Sequence, residues 1–490
     1  MEQSISRLIS RRALTDPDAV MVACLGPAGE STATMTAAQL DRHSNRLTRV
    51  LIERGVRPDD LVTLAADTTI EFVSWCVAIW KAGATPQPIA PDLDPAQRGA
   101  LEAVVRPALA IGSPPVDPEV PWIALDHPAH GFSDDELPDL ASRSWKAPTS
   151  SGSTGTPKVV VATAAARFDP DRAIAPFIPR AVTQLVCGPL WHSATFTYAM
   201  RGLMTDHHLV LLPRPDPHAV LTALRSWRIG WTVWSPTLIH EIVGLGCELD
   251  RFDCPALHSV LHIGAPCPAQ DKRALIAWLG PHRVVEVYAG SESNGRTMID
   301  GRDWLAHPGS VGRGLDDTEI EIRGVHGTPL APGHHGTIWM RRRGPTRYHY
   351  LGGRSQRTVD GWDTLGDIGF CDKDGWLTVI DRAADRISCA GAVVYPAVIE
   401  HQILEHPAVR DAVVYAVPDR HGTTRMCAVI DIGDHDVDLA QVRAHARSRL
   451  GDGCSPGSVT VQRSRIRNAA GKVRRAAMAR AEPRDEGRSA

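Results

Sequence analysis

The spacing of apolar residues along this chain switches repeatedly between a helical and a strand-like period. Between residues 36 and 54, TAAQLDRHSNRLTRVLIER, Leu40, Leu47 and Leu51 return to one face of a 3.6-residue spiral, and Gly55 follows as a stop. This predicts an amphipathic helix. LVTLAA (61–66) reads as a strand, and IEFVSWCVAIWKAG (70–83) as a buried helix closing at Gly83. Beyond residue 207 the alternation becomes regular. HLVLLP, WTVWS, SVLHIGA and RVVEVYAG read as strands, and PHAVLTALRSWRI, PTLIHEIVGLG and PAQDKRALIAWLG between them as helices. Strand–helix alternation implies parallel sheets covered by helices, with ligands held beyond the C-terminal strand ends.

After about residue 300 the pattern changes. Gly, Pro and short β-like runs such as GTIWMRRRG suggest a smaller β-rich subdomain, and after Asp381 a compact α+β pattern begins. The expected fold class is therefore α/β: a large N-terminal region of two α/β sheet subdomains plus a β-rich subdomain, then a small mobile α+β domain. The expected division is 1–380, a hinge at 381–385, and 386–490.

Composition narrows the chemistry. The chain has 490 residues, 43% of them hydrophobic and 22% charged, with a net charge of -3. That balance gives no reason to expect nucleic acid as a partner. No apolar run is long enough to span a membrane, and the N-terminus lacks a signal-peptide pattern, so a cytoplasmic location is expected. Ten cysteines without a CxxC pair argue against a zinc site or a disulfide framework. Only six lysines stand among 53 basic residues: Lys81, Lys146, Lys158, Lys272, Lys373 and Lys472. Where arginine supplies most of the positive charge, each lysine merits attention.

Lys158 closes the segment Thr149, Ser150, Ser151, Gly152, Ser153, Thr154, Gly155, Thr156, Pro157. Glycines there let the backbone curl, and hydroxyls and N–H groups can surround phosphate oxygens. The pattern is not GxxxxGK[ST], since a proline precedes the lysine and no hydroxyl follows it. TSSGSTGTPK resembles the phosphate loop of the acyl-adenylate-forming ligases, which include acyl-CoA synthetases, peptide-synthetase adenylation domains, luciferases and stand-alone amide synthetases. YAGSES (288–293), GWDTLGDIGFCDKDGWLTVIDRAADRI (361–387) and RNAAGKVRR (467–475) resemble later segments of that family, in its order and spacing.

The resemblance implies ATP and Mg²⁺ as cofactors and a small carboxylic acid as substrate. Glu292 would be the Mg²⁺ ligand, with Ser291 and Thr154 near the phosphates. Asp367 and Arg382 would hold the ribose, and Tyr288 would pack on adenine opposite Gly264, Ala265 and Pro266. Ala289 and Gly290 would complete the nucleotide site. Lys472 would be the catalytic lysine, carried on the small domain, which closes over the site and then rotates for acyl transfer. His192, in PLWH, would gate the pocket or act as a base. Trp191, His192, Phe196, Trp234 and Gly290 are the candidate acyl-pocket residues, with Trp231 beside them. Trp231 and Trp234 cannot share one face of a strand, so at least one should be core. An aromatic slot would favour a flat or cyclic acid.

The acceptor is expected to be CoA. An amine, as in amide-bond synthetases, is the alternative, followed by a separate carrier protein and then by a non-catalytic nucleotide binder. Two departures from the family pattern bear on this. Ala384 occupies the usual Asp or Lys hinge position, and CAGAV (389–393) replaces the paired glycines that give room to a pantetheine arm. The oligomeric state is not indicated.

Overall fold

The computed structural model describes residues 1–150, 158–389, 392–418, 424–433, 437–450, 455–467, 471, 473 and 475–481. Its largest sheet has nine strands. The interior ones, Val20–Leu25, His208–Leu211, Thr183–Val186, Trp231–Trp234, Ser259–Ile263 and Val284–Ala289, run parallel in that spatial order. Antiparallel strands close both edges, Ser31–Thr36 on one side and Arg296–Asp300 with Arg313–Gly314 on the other. The Val20–Leu25 and Ser31–Thr36 hairpin joins this sheet from the far N-terminus, a long-range pairing that no local periodicity announces. A second, parallel sheet is built from Thr85–Ile89, Leu61–Ala65, Leu109–Gly112 and Trp122–Ile123. Its strand TPQPI carries two prolines and lies at the edge, where a missing N–H costs least.

Local chemistry explains the helices. Ala37–Glu53 begins with a capping box: Thr36 Oγ1 accepts from the Gln39 N–H at 3.3 Å, and Gln39 Oε1 accepts from the Thr36 N–H at 2.8 Å. Ile70–Lys81 is largely apolar and buried everywhere but at Glu71, as such a helix must be. Trp75 and Trp80 in it satisfy their indole N–H groups on the carbonyls of Leu125 and Trp145. Its last residue, Lys81, is buried against the Asp41 carboxylate at 2.7 Å and the Asn45 amide oxygen at 2.7 Å. That lysine is structural.

The β-rich part is an antiparallel sheet of Thr318–Arg323, Gly336–Arg342, Asp367–Cys371 and Leu377–Arg382. The small domain packs the helices Pro396–Ile403 and Leu439–Leu450 against strands Asp411–Pro418, Thr424–Asp431 and Ser455–Gln462, around its own apolar core. The α/β architecture with a large N-terminal and a small C-terminal domain is the one expected. Among the described residues no helix is long and apolar enough to cross a membrane.

Candidate functional site

A cavity of about 1260 Å³ runs beyond the C-terminal ends of the parallel strands and is lined by both domains. Its edges come from three sequence regions that the resemblance singled out. The strand Ser259–Ile263 delivers Gly264, Ala265 and Pro266 to the wall, and Val284–Ala289 delivers Tyr288 and the turn Ala289–Glu292. Gly264 has φ +97, a left-handed conformation that a Cβ would strain. The antiparallel sheet delivers Asp367 and Arg382, paired residue to residue across adjacent strands.

At this end the polar groups hold one another. Tyr288 donates its hydroxyl to Asp367 Oδ2 at 2.7 Å, and Arg382 Nε lies 3.5 Å from Asp367 Oδ1. Burial pushes the Asp367 carboxyl above its usual range, while Arg382 and Tyr288 pull it back. Burial also raises the Tyr288 phenol, and the Asp367 charge adds to that. Tyr288 therefore does more than form a wall. It orients the carboxylate that the resemblance assigns to the ribose.

Glu292 is buried, and its Oε1 accepts from the Tyr350 hydroxyl at 2.7 Å. Burial first, then the Glu292 charge, pushes the Tyr350 phenol strongly upward, so it stays a donor. The other oxygen, Oε2, turns toward Gly290, where an added Cβ would come within 2.7 Å of it. A hard carboxylate oxygen fixed by a phenol and facing the cavity suits Mg²⁺. Among the described residues no cluster of three or more His, Cys, Asp or Glu could enclose a metal. An ion here would complete its shell with water and phosphate oxygens, as Mg²⁺ does.

The phosphate-loop segment is flanked by two paired strand ends. Thr149 pairs with Val159 and Ser150 with Lys158, so both ends are pinned side by side. Gln87 Nε2 donates to Thr149 Oγ1 at 3.1 Å. Ser151, Gly152, Ser153, Thr154 and Gly155 lie outside the described residues, and so do Lys472, Ala390 and Gly391. The Lys158 stem packs on Gly353, and its ammonium sits 5.2 Å above the Tyr350 ring. Lys158 and Glu292 thus meet at one tyrosine. RYHYLGG carried no recognised motif, so Tyr350 was missed. Its signal is alternation: Tyr348 and Tyr350 fall two apart on a strand paired with Val159–Ala162.

The acyl-pocket residues divide differently from expectation. His192 and Gly290 line the cavity. Phe196 and Trp234 are fully buried in core and do not. On the helix Ser193–Met204 the residues lining the cavity include Ala194, Thr197, Tyr198 and Arg201, the last three spaced three, four and seven residues from the first. Phe196 falls on the opposite stripe, among Phe72, Trp80 and Trp145. Trp234 stacks on Trp278, with centroids 6.4 Å apart. Trp231 is equally buried, its Nε1 donating to His207 Nδ1 at 3.1 Å. Their strand is central and covered on both faces, so both indoles are core. Trp191 packs half-buried against the N-terminal core. The aromatic side chains that do line the cavity, Trp145 and Tyr198 among them, are not the ones expected, and they stand beside small, hydroxyl and cationic side chains.

The stretch expected to be the hinge is tied to the small domain by its acids. Asp381 accepts from the Ala397 N–H at 2.9 Å, and Asp385 pairs with Arg475 at 2.9 Å. Arg475 also reaches Glu400 at 2.7 Å, and Arg467 pairs with Glu400 and Asp411.

Comparison with known proteins adds identity to this geometry. Residues 9–350 match the family model described as AMP-binding enzyme, and residues 398–472 match its C-terminal domain. The chain is 29% identical over 489 residues to a feruloyl-CoA synthase of Amycolatopsis sp, covering 92% of this chain and 93% of that one. It is 27% identical over 467 residues to a long-chain-fatty-acid–CoA ligase of Mycobacterium tuberculosis, covering 90% and 91%. Among solved structures, the o-succinylbenzoate CoA synthetase of Bacillus subtilis with its acyl-adenylate intermediate superimposes with TM-score 0.79 at 22% identity, covering 98% of each chain. The amide bond synthetase McbA of Marinactinospora thermotolerans gives 0.75 at 24% identity, covering 97% and 98%. These two likenesses speak to the fold.

Proposed function

Because the chain belongs to the AMP-binding enzyme family, and is an AMP-forming carboxylate ligase, we propose that it condenses a small carboxylic acid with ATP into an acyl adenylate, releasing pyrophosphate, and then passes the acyl group to CoA. The observation that carries this is the shared cavity: Tyr288, Asp367 and Arg382 at one end, with Glu292, Tyr350 and Lys158 at its centre. Two anions must meet there, an acid and a triphosphate, so charge has to be offset where they join. Asp367, held by Tyr288 and Arg382, would accept the ribose hydroxyls. Glu292 would hold Mg²⁺, whose contribution when bound is to screen phosphate charge. Lys158 adds a cation beside Glu292, and we assign Thr149 to Gly155 to the phosphates on the strength of the motif. We assign Lys472 to the joining step, His192 to the acid side, 1–380 to the nucleotide domain, 381–385 to the hinge and 386–490 to the lid.

CoA is favoured as acceptor by the names of the curated relatives. The amine alternative keeps its ground in Ala384 and Ala390, where the pattern of CoA ligases is broken. ATP–pyrophosphate exchange across aryl, cyclic and aliphatic acids, followed by product mass with CoA or with amines, tests the scheme. Acid-dependent exchange and a thioester mass are expected. An amide mass would move the acceptor, and exchange with no acid at all would remove the adenylation reading.

A further inference from the structure

Beyond Glu292 the cavity continues along the helix Ser193–Met204 to a group of cations. Lys146 is buried at the wall, with its ammonium donating to Thr197 Oγ1 at 2.5 Å. Arg201, one helical turn from Thr197, lies half-buried on the same face. Both cations lie over the Trp145 ring, at 5.1 and 5.5 Å from its centroid. Arg296 and Arg342 line the same end, and Arg172 and Arg347 stand exposed at its rim.

The opposing charge is sparse. Asp316 is shared by Arg296 and Arg342. Glu292 is held by Tyr350 and turned toward the reacting centre. Asp169 pairs with the N-terminal amine at 3.3 Å. Among the described residues no carboxylate comes within 4.0 Å of Lys146 or Arg201, and the sequence 151–157 contains no acid. A cation–π contact and one hydroxyl offset only part of the cost of drying two like charges side by side. The strain is visible in their proton affinities. Burial, then Arg201, pushes Lys146 down to about 7, and burial lowers Arg201 to about 10.

We propose that the acid this enzyme activates carries a second anionic group, a distal carboxylate, which Lys146 and Arg201 bind at the far end of the cavity. The inference rests on the adenylation reading and deepens it. The reacting carboxylate lies toward Glu292 and His192, the body of the acid runs along Ala194, Thr197 and Tyr198, and the distal charge meets the cations. An aromatic or cyclic body fits between, but charge rather than ring shape selects the substrate.

Matched acids test this. Linear monoacids of four to ten carbons are compared with the diacids of equal length, and 3-phenylpropanoate with its para-carboxy derivative, by pyrophosphate exchange and by calorimetric binding to the full chain. At least one diacid should exceed its monoacid partner tenfold or more in kcat/KM. The double variant Lys146→Met/Arg201→Met, checked for folding by circular dichroism, should reduce that advantage to twofold or less, and Arg201→Lys should restore part of it. Monoacids equal to or better than every diacid would overturn the proposal, as would an advantage that survives in the double variant. If no acid supports exchange, the adenylation reading fails on its own. Calorimetry then still judges the subsite: diacid binding lost in the double variant supports it, and no diacid binding to the wild type sinks it.

Discussion

The two ends of the cavity are built on opposite principles. At the nucleotide end, the described carboxylates are held before any ligand arrives: Asp367 by Tyr288 and Arg382, Glu292 by Tyr350. At the far end Lys146 and Arg201 face the cavity without a carboxylate within ion-pair distance among the described residues. A ligand part that is the same in every turnover can be met by a preorganised, internally paired frame. A site that must choose among acids has its discrimination in what is left unpaired, because the wrong ligand leaves those charges uncompensated. The difference separates the residues that should set rate from those that should set specificity.

The largest effects belong to rate. Lys472→Ala should lower exchange by roughly 10²–10³-fold, the loss typical for one electrostatic contact made in the transition state, with ATP binding retained. Near-normal exchange would remove Lys472 from the joining step. Glu292→Gln should come next, with a raised Mg²⁺ requirement and exchange reduced by roughly 10²-fold. An unchanged Mg²⁺ titration would take the metal away from Glu292. Asp367→Asn should cost roughly tenfold in ATP affinity, since it weakens a charged acceptor while leaving a hydrogen-bonding shape. It should leave the fold no less stable, because burial already disfavours the Asp367 carboxylate. None of these three should alter the diacid-to-monoacid ratio. If one does, the two ends are not independent.

The same division explains what was legible in the sequence. Four of the six interior strands of the largest sheet, and the helices between them, follow from apolar period alone, whereas Val20–Leu25 and Thr183–Val186 do not. The nucleotide end follows from short motifs whose residues are neighbours in the chain, such as YAGSES. The far end draws Lys146, Thr197, Arg201, Arg296 and Arg342 from separate elements, so no local pattern carries it. The scarcity of lysine pointed to Lys146 without giving its role, and gave equal weight to Lys81, which is structural. Choosing Phe196 by its aromatic character overlooked helical phase. Counting from Ala194 at 3.6 residues per turn puts Thr197, Tyr198 and Arg201 on one stripe and Phe196 on another. Tyr350 lay in a stretch without a motif, and only the strand pairing brings it under Glu292.

The smallest effect is the one that separates a structural lysine from one retained for a ligand. Lys146 is held below the ordinary lysine value, at about 7, by burial and by Arg201, with Glu292 opposing. Its protonated form is therefore disfavoured by folding. Below pH 7 the folded and unfolded chains both carry the proton, and the fold bears the full cost. Between pH 7 and the unfolded value of 10.5 the folded chain sheds the proton first, and the cost falls away. Lys146→Met should thus be more stable than the wild type at pH 6, by about 1 kcal/mol once the lost Thr197 hydrogen bond is subtracted. The gain should shrink toward zero or reverse as the pH nears 10, and denaturant unfolding at pH 6, 8 and 10 measures it. A variant equally destabilised at all three pH values would make Lys146 a packing and hydrogen-bonding residue like Lys81. A gain confined to the acidic side, and cancelled when a diacid is present, is what a cation kept at the expense of stability should give. The bound carboxylate supplies the counter-charge that the chain withholds.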